Sequence, residues 1–184
     1  MKENKEQLLP VLVVDTREQT PLAFTHCTAE RGALQSGDYS AKGLEESFCV
    51  ERKTIADLVG SLTRERARFM REMHRLRGFQ NAYLLIIGRD VELSALVAQG
   101  RANVTQINHS LLALQARYGV HVVWVDTPAE GALLVETWAF CAWREALKPS
   151  GKMIPFPTWA TGALRARISK SDIVGTDTLK KKSV

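Results

Sequence analysis

Paired cysteines are missing from this chain. Cys27, Cys49 and Cys141 are odd in number and far apart in 184 residues. That spacing supports neither a disulfide framework nor a thiolate zinc site, so all three are read as reduced thiols of a cytoplasmic protein. Histidine is nearly as sparse. His26, His74, His109 and His121 have no partner at metal-ligand spacing, and each is read as a surface or packed side chain. Long apolar runs are missing too. Lys2-Glu3-Asn4-Lys5-Glu6 is polar and Val11 to Val14 is too short for a signal core or a span, which argues against export and membrane insertion. No internal repeat is visible, and no long low-complexity tract precedes the C-terminal tail.

What is present has the balance of a globular protein. At 45% hydrophobic and 24% charged residues, 184 positions suffice to bury one good core. Residues 8–148 are read as one domain. Residues 149–184, interrupted by Pro149, Gly151, Pro155, Pro157, Gly162 and Gly175 and ending near Lys180-Lys181-Lys182, are read as a basic, partly mobile arm. A formal charge of +5 and a pI near 9.3 favour a polyanionic partner.

Hydrophobic periodicity alternates between strand and helix. Val11 to Asp15 is β-branched and apolar and ends before Pro21, which puts Asp15 at a strand end. Gly32 to Gln35 and Tyr39 to Ala41 flank Ser36-Gly37-Asp38, and Phe48 to Lys53 follows, predicting a hairpin or meander with Asp38 at a bend. Thr54 can cap a short helix through Val59. Leu62 to Arg77 carries Phe69, Met73 and Leu76 at helical spacing, with Arg64, Arg68, Arg71 and Arg75 as a stripe on the opposite face. Ala82 to Ile87 and His121 to Val125 read as strands; Val104 to Tyr118 and Ala129 to Lys148 read as helices. The predicted fold class is α/β, a central mixed sheet flanked by helices.

The chemistry concentrates in the first third. Glu51 and Lys53 alternate on one strand and so point to one face. Asp15, Asp38 and Glu51 come from three segments that a twisted sheet can bring to one edge. Hydrolysis of a phosphodiester needs a divalent cation on oxygen ligands, an activated water and a cation near phosphorus, and hard carboxylates select Mg²⁺ or Mn²⁺. Singly, each residue has an ordinary reading: Asp15 and Asp38 as turn or cap residues, Glu51 and Lys53 as a solvated pair.

Taken in order, Val13-Val14-Asp15-Thr16-Arg17-Glu18, Gly37-Asp38-Tyr39, and Val50-Glu51-Arg52-Lys53 with Asp57 and Gly60-Ser61-Leu62 resemble the nuclease domain of the XPF family of structure-specific endonucleases. That family carries the motif GDXnERKX3D. The resemblance implies a restriction-endonuclease-like core of PD-(D/E)XK type and metal-dependent cleavage of DNA at branches, flaps or junctions, in repair, recombination or replication. It implies Asp38 and Glu51 as central Mg²⁺ ligands, with the backbone carbonyl of Arg52 and the Asp15 carboxylate completing the set, and Lys53 as the catalytic lysine. Arg17 and Glu18 are then phosphate contacts or an outer shell, with Glu18 an alternative ligand. Arg52 and Asp57 belong to the signature or form an ion pair bracing strand to helix, and Arg66 faces the scissile region.

The arginine stripe, with Arg165, Arg167, Lys170, Lys180, Lys181 and Lys182 of the arm, is expected to hold DNA phosphates; a solvated helix face is its ordinary reading, because Glu65 and Glu72 offset it. Trp138, Phe140 and Trp143 read as core, but Leu133, Leu134, Val135 and Leu147 make the last helix apolar nearly all round. Since the resembled nuclease domains pair through C-terminal elements, a homodimer through this helix is expected. Helix-hairpin-helix repeats, usual in the resembled enzymes, have no counterpart beyond a faint match at Ile173-Val174-Gly175-Thr176, and Glu65 stands where many relatives have glycine. A stand-alone microbial or phage-type nuclease is the expectation. A catalytically silent DNA-binding scaffold and a sequence-specific restriction-type nuclease are the alternatives.

Overall fold

A computed structural model describes residues 8–151 and 154–160. The chain forms the expected central mixed sheet flanked by helices. Among the described residues six strands, β1 (Leu12–Asp15), β2 (Ala29–Gly32), β3 (Tyr39–Ala41), β4 (Phe48–Thr54), β5 (Asn81–Ile87) and β6 (His121–Val125), lie in the order β2-β1-β3-β4-β5-β6. β3 runs antiparallel to β1 and β4, whereas β2 is parallel to β1 and the β4, β5, β6 block is parallel throughout. Parallel neighbours need crossovers. α1 (Ile55–Leu62) and α2 (Arg66–Leu76) connect β4 to β5; α3 (Asp90–Ala98) and α4 (Val104–Tyr118) connect β5 to β6; α5 (Pro128–Leu147) follows β6.

Strand alternation sorts the core into two layers. Phe48, Val50, Leu85 and Ile87 face α5, packing with Leu12, Val14, Tyr39, Val135 and Ala139. Cys49, Leu84 and Ile86 face the other helices, meeting Leu58, Phe69, Met73, Ile107 and Leu114. Burying apolar side chains on both sheet faces makes β4 and β5 nearly continuous apolar runs, as parallel strands require.

Three details differ from the sequence expectation. The strand before Asp38 is Ala29–Gly32, not a hairpin arm at Gly32 to Gln35; β2 is an edge strand, and its exposed Ala29, Glu30 and Arg31 leave no apolar signature. The predicted helix from Leu62 is broken at 63–65, where the Thr63 hydroxyl turns back to Val59 O at 2.7 Å and Glu65 N donates to Gly60 O at 3.1 Å. Arg64 therefore sits in the turn, and the helical stripe is Arg68, Arg71 and Arg75. Helix α3 buries no residue, so it carries no periodic pattern to read.

Helix α5 is apolar nearly all round, and its own chain covers two of its sides. One side lies on the sheet. On the other, Phe140 meets Phe156 and Trp159, and Arg144 Nε donates to Ile154 O at 2.7 Å. Glu136, fully buried, accepts hydrogen bonds from the backbone N–H groups of Thr25, His26 and Cys27 on one oxygen, tying the β1–β2 loop to the helix. No described helix is long and apolar enough to cross a membrane.

Candidate active site

The carboxyl end of β1, the turn before β3 and the middle of β4 converge at one edge of the sheet. Asp38 extends β3 by one residue: Asp15 N donates to Asp38 O at 2.9 Å and Asp38 N to Val50 O at 2.8 Å. Gly37 makes this approach feasible. Its φ of +77° favours glycine, and a Cβ there would collide with Cys49 Sγ and sit 3.0 Å from Val50 O. Arg52 N then donates to Asp38 Oδ2 at 2.7 Å, which fixes the carboxylate against β4 and leaves Oδ1 without a donor among the described residues.

Glu51 is 4% exposed, on the strand face shared with Cys49. One of its oxygens is in close contact with Lys53 Nζ. Asp38 and Glu51 both hold their protons above the usual carboxylate range. Burial is the main cause for each; Glu18 adds like charge at Asp38, while Asp38 and then Glu72 add it at Glu51. For Lys53, burial opposes the ammonium form, but Glu51, Glu72 and Asp38 outweigh it and raise the pKa above that of an ordinary lysine. Lys53 is thus a cation, poorly suited to act as a general base.

Asp15 occupies the same edge in a different state. It is 2% exposed, and its oxygens accept from Arg17 N at 2.8 Å, Arg17 Nε at 2.6 Å and Leu34 N at 2.8 Å. The Arg17 side chain leads the effects that bring its pKa down to about 2, against the opposing effect of burial. Glu18 accepts from Thr20 N at 2.7 Å and from Arg52 Nη2 at 3.3 Å, so it braces Arg52. Arg52 also donates to Thr20 Oγ1 at 2.9 Å. The anticipated Arg52–Asp57 ion pair does not form. Arg52 leaves the strand on the face opposite Glu51 and Lys53, whereas Asp57 meets Thr54 Oγ1 at 2.7 Å at the cap of α1. Arg66 donates to Ser110 Oγ at 3.2 Å and lines a cavity of about 510 Å³ with Asn103, Gln106 and His109, between α2 and α4.

Two contributors lie outside the motif. Arg31 Nη1 donates to Asp15 O at 2.9 Å and Glu18 O at 2.7 Å, locking the β1 turn from the edge strand. Glu72 Oε2 lies 3.7 Å from Lys53 Nζ. Glu72 was visible in the sequence only as a partial offset to the arginine stripe. The histidines serve elsewhere: His26 stacks on Trp159 at 4.4 Å, His74 meets Tyr118 and His121 meets Tyr83. Lys170 and Lys180 to Lys182, like Arg165 and Arg167, lie outside the described residues.

No three His, Cys, Asp or Glu side chains among the described residues close into a ready ligand cluster. The donor set still fits a hard divalent cation. Asp38 and Glu51 are carboxylates whose charges repel in a partly dry setting, and a bound dication would relieve that repulsion.

This arrangement has relatives. The ERCC4 domain signature matches residues 14–137. The fold is similar to XPF from Aeropyrum pernix, with a TM-score of 0.58 and 25% identity over 81% of this chain and 67% of that one. It is also similar to XPF from Aeropyrum pernix in complex with DNA, at a TM-score of 0.58 and 22% identity over 87% of this chain and 81% of that one. No curated protein gives a significant match. The restriction-endonuclease-like core expected from the motif is the fold of these neighbours. With the signature spanning 124 residues from Val14 in β1 to Thr137 in α5, and the Gly37-Asp38 turn and Glu51-Arg52-Lys53 strand inside it, the chain belongs to the ERCC4 domain family.

Proposed function

We propose that this protein is a divalent-metal-dependent DNA endonuclease acting on branched, flap or junction structures in DNA repair, recombination or replication. The observation that carries the proposal is the pair of buried, mutually repelling carboxylates, Asp38 and Glu51, with the Lys53 ammonium on the same edge. Such a pair costs stability in the metal-free fold, and buried, perturbed carboxylates of this kind are characteristic of functional sites.

Asp38 and Glu51 would hold Mg²⁺ or Mn²⁺ together with the Arg52 carbonyl. Asp15, whose oxygens are taken by Arg17 and Leu34, would add its charge to the shell. The bound cation supplies Lewis-acid polarisation of the phosphate and a more acidic water. Lys53, kept protonated by its carboxylate neighbours, offsets charge developing on the phosphoryl oxygens and orients the attacking water. Glu18 and Thr20 hold the Arg52 side chain, so its backbone presents the carbonyl and the Asp38-bound amide from a fixed strand. Arg68, Arg71 and Arg75 of helix α2 would flank the site, Arg71 farther round the helix than the other two. On a helical wheel Arg68 and Arg75 lie roughly 40–60° from Glu72, which touches Lys53. Duplex or single-strand phosphates would lie along that flank.

Self-association is part of the proposal. Leu133, Trp143 and Leu147 are apolar residues of α5 left half-exposed after the chain's own packing, and a second copy would cover them. A purely monomeric mass at high protein concentration would remove this element.

The test is a Mg²⁺ cleavage assay on flap, fork, Holliday-type and linear duplex DNA, with chelator controls. Cutting confined to branched substrates and abolished by Asp38→Asn or Glu51→Gln is expected. Binding without cutting would favour a silent scaffold; sequence-defined cuts in linear duplex would favour a restriction-type enzyme.

A further inference from the structure

Lys53 lies between two carboxylates. Glu51, its neighbour along the strand, contacts it from one side; Glu72 Oε2 approaches from helix α2 to 3.7 Å, and the Phe69 ring centroid lies 5.8 Å away. Lys53 and Glu72 side chains are only 16% and 23% exposed, so this pair is screened far less than a surface ion pair. Glu72 also has cations on its own helix, Arg68 and Arg75 at i−4 and i+3, yet the ion pair it forms crosses to the strand. The side chain is held there by the helix itself: Phe69, Met73 and Leu76 are buried, which pins the rotation of α2 and aims Glu72 at the end of β4.

Resting on the nuclease reading above, we infer that Glu72 is the positioning residue for Lys53. Glu51 cannot serve two partners fully. When its carboxylate turns to a cation, its hold on Lys53 weakens, and a flexible four-carbon stem with a free ammonium would search many rotamers. Glu72 has no place in the ligand set. It keeps one ion pair to Lys53 in every state, so the ammonium remains at the edge where phosphate arrives while Glu51 is engaged. Because Glu72 approaches from a helix and not from the sheet, the anchor stays in place when groups on the strands shift to accommodate ligand.

Two measurements test this. In single-turnover cleavage at saturating DNA and Mg²⁺, Glu72→Gln is expected to slow cutting by about ten-fold or more, as for loss of an oriented catalytic group. DNA affinity should stay at its wild-type value, the half-saturating Mg²⁺ concentration should change far less than in Asp38→Asn, the protein should stay folded at the assay temperature, and Glu72→Asp should restore part of the rate. Independently of cleavage, the Lys53 ammonium resonance in ¹⁵N NMR, assigned through its loss in Lys53→Arg, should be slowly exchanging in the wild type with Mg²⁺. It should collapse to free-lysine behaviour in Glu72→Gln. An unchanged rate, a resonance indifferent to Glu72→Gln, or a loss of Mg²⁺ response as large as that of Asp38→Asn, which would make Glu72 a ligand, each overturns the inference. A wild-type protein that cuts no DNA overturns the nuclease reading instead, and the resonance still decides whether Glu72 holds Lys53.

Discussion

The backbone amide of Arg52 donates to Asp38 Oδ2 at 2.7 Å, so the strand that carries Glu51 and Lys53 also fixes the carboxylate opposite them. One hydrogen bond thus couples the Gly37-Asp38 turn to the Glu51-Arg52-Lys53 strand. The spacing of the two sequence words has its structural meaning here.

Metal-free protein should be less stable at neutral than at mildly acidic pH. Asp38 and Glu51 both have folded-state pKa values raised above the ordinary carboxylate range. The folded state therefore binds more protons than the unfolded chain, and stability falls as pH rises from about 4 through the raised values. Asp38→Asn and Glu51→Gln remove the repulsion. Each should raise the melting temperature at pH 7.5 by about 2–4 °C, corresponding to about 1 kcal/mol, while abolishing cutting. Differential scanning fluorimetry in chelator checks this, and added Mg²⁺ should stabilise only the wild type.

Asp15 should behave in the opposite sense. Its pKa is lowered to about 2, so its contribution is present above about pH 4 and lost as pH falls towards 2. Asp15→Ala strands the amides of Arg17 and Leu34 and should cost about 2–3 kcal/mol in urea unfolding at pH 7. Arg17→Ala should cost less, about 1 kcal/mol or under, because its side chain is 69% exposed and solvent screens the pair.

Gly37→Ala tests the turn. The positive φ and the clash with Cys49 Sγ should together destabilise the fold by about 2 kcal/mol or more. Adding Cys49→Ala removes the collision with the thiol but neither the 3.0 Å approach to Val50 O nor the strained φ. The double variant should therefore recover only partly in melting temperature, and cleavage should remain depressed through misplacement of Asp38.

Glu136 predicts a purely structural lesion. One of its oxygens takes three backbone donors, and the other has no partner among the described residues. Glu136→Ala should cost about 3 kcal/mol or more and loosen residues 25–27, read by faster amide exchange there. Glu136→Gln keeps an acceptor oxygen and should lose less. Neither change should alter the Mg²⁺ requirement of the folded fraction.

Much was legible locally. Periodicity placed β4, β5, α4, β6 and α5 to within a residue or two, because each buries a strong apolar face or run. It missed β2, an exposed edge strand, and α3, which buries nothing, since no hydrophobic pattern exists where no burial occurs. The break between α1 and α2, expected just after Val59, lies at 63–65 because buried Ser61 and Leu62 carry α1 on before the Thr63 hydroxyl closes it.

The sequence by itself singled out Asp15, Asp38, Glu51 and Lys53 as one candidate set, because short words in a fixed order are legible without contacts. Only the tertiary structure decided the state of each. Asp15 is saturated by Arg17 and Leu34 N, Asp38 and Glu51 repel, Arg52 turns to Glu18 and Thr20 instead of Asp57, and Glu72 comes in from another element to Lys53. Proton affinity and partner choice depend on burial and on distances between segments far apart in the chain, and those exist only once the sheet has formed.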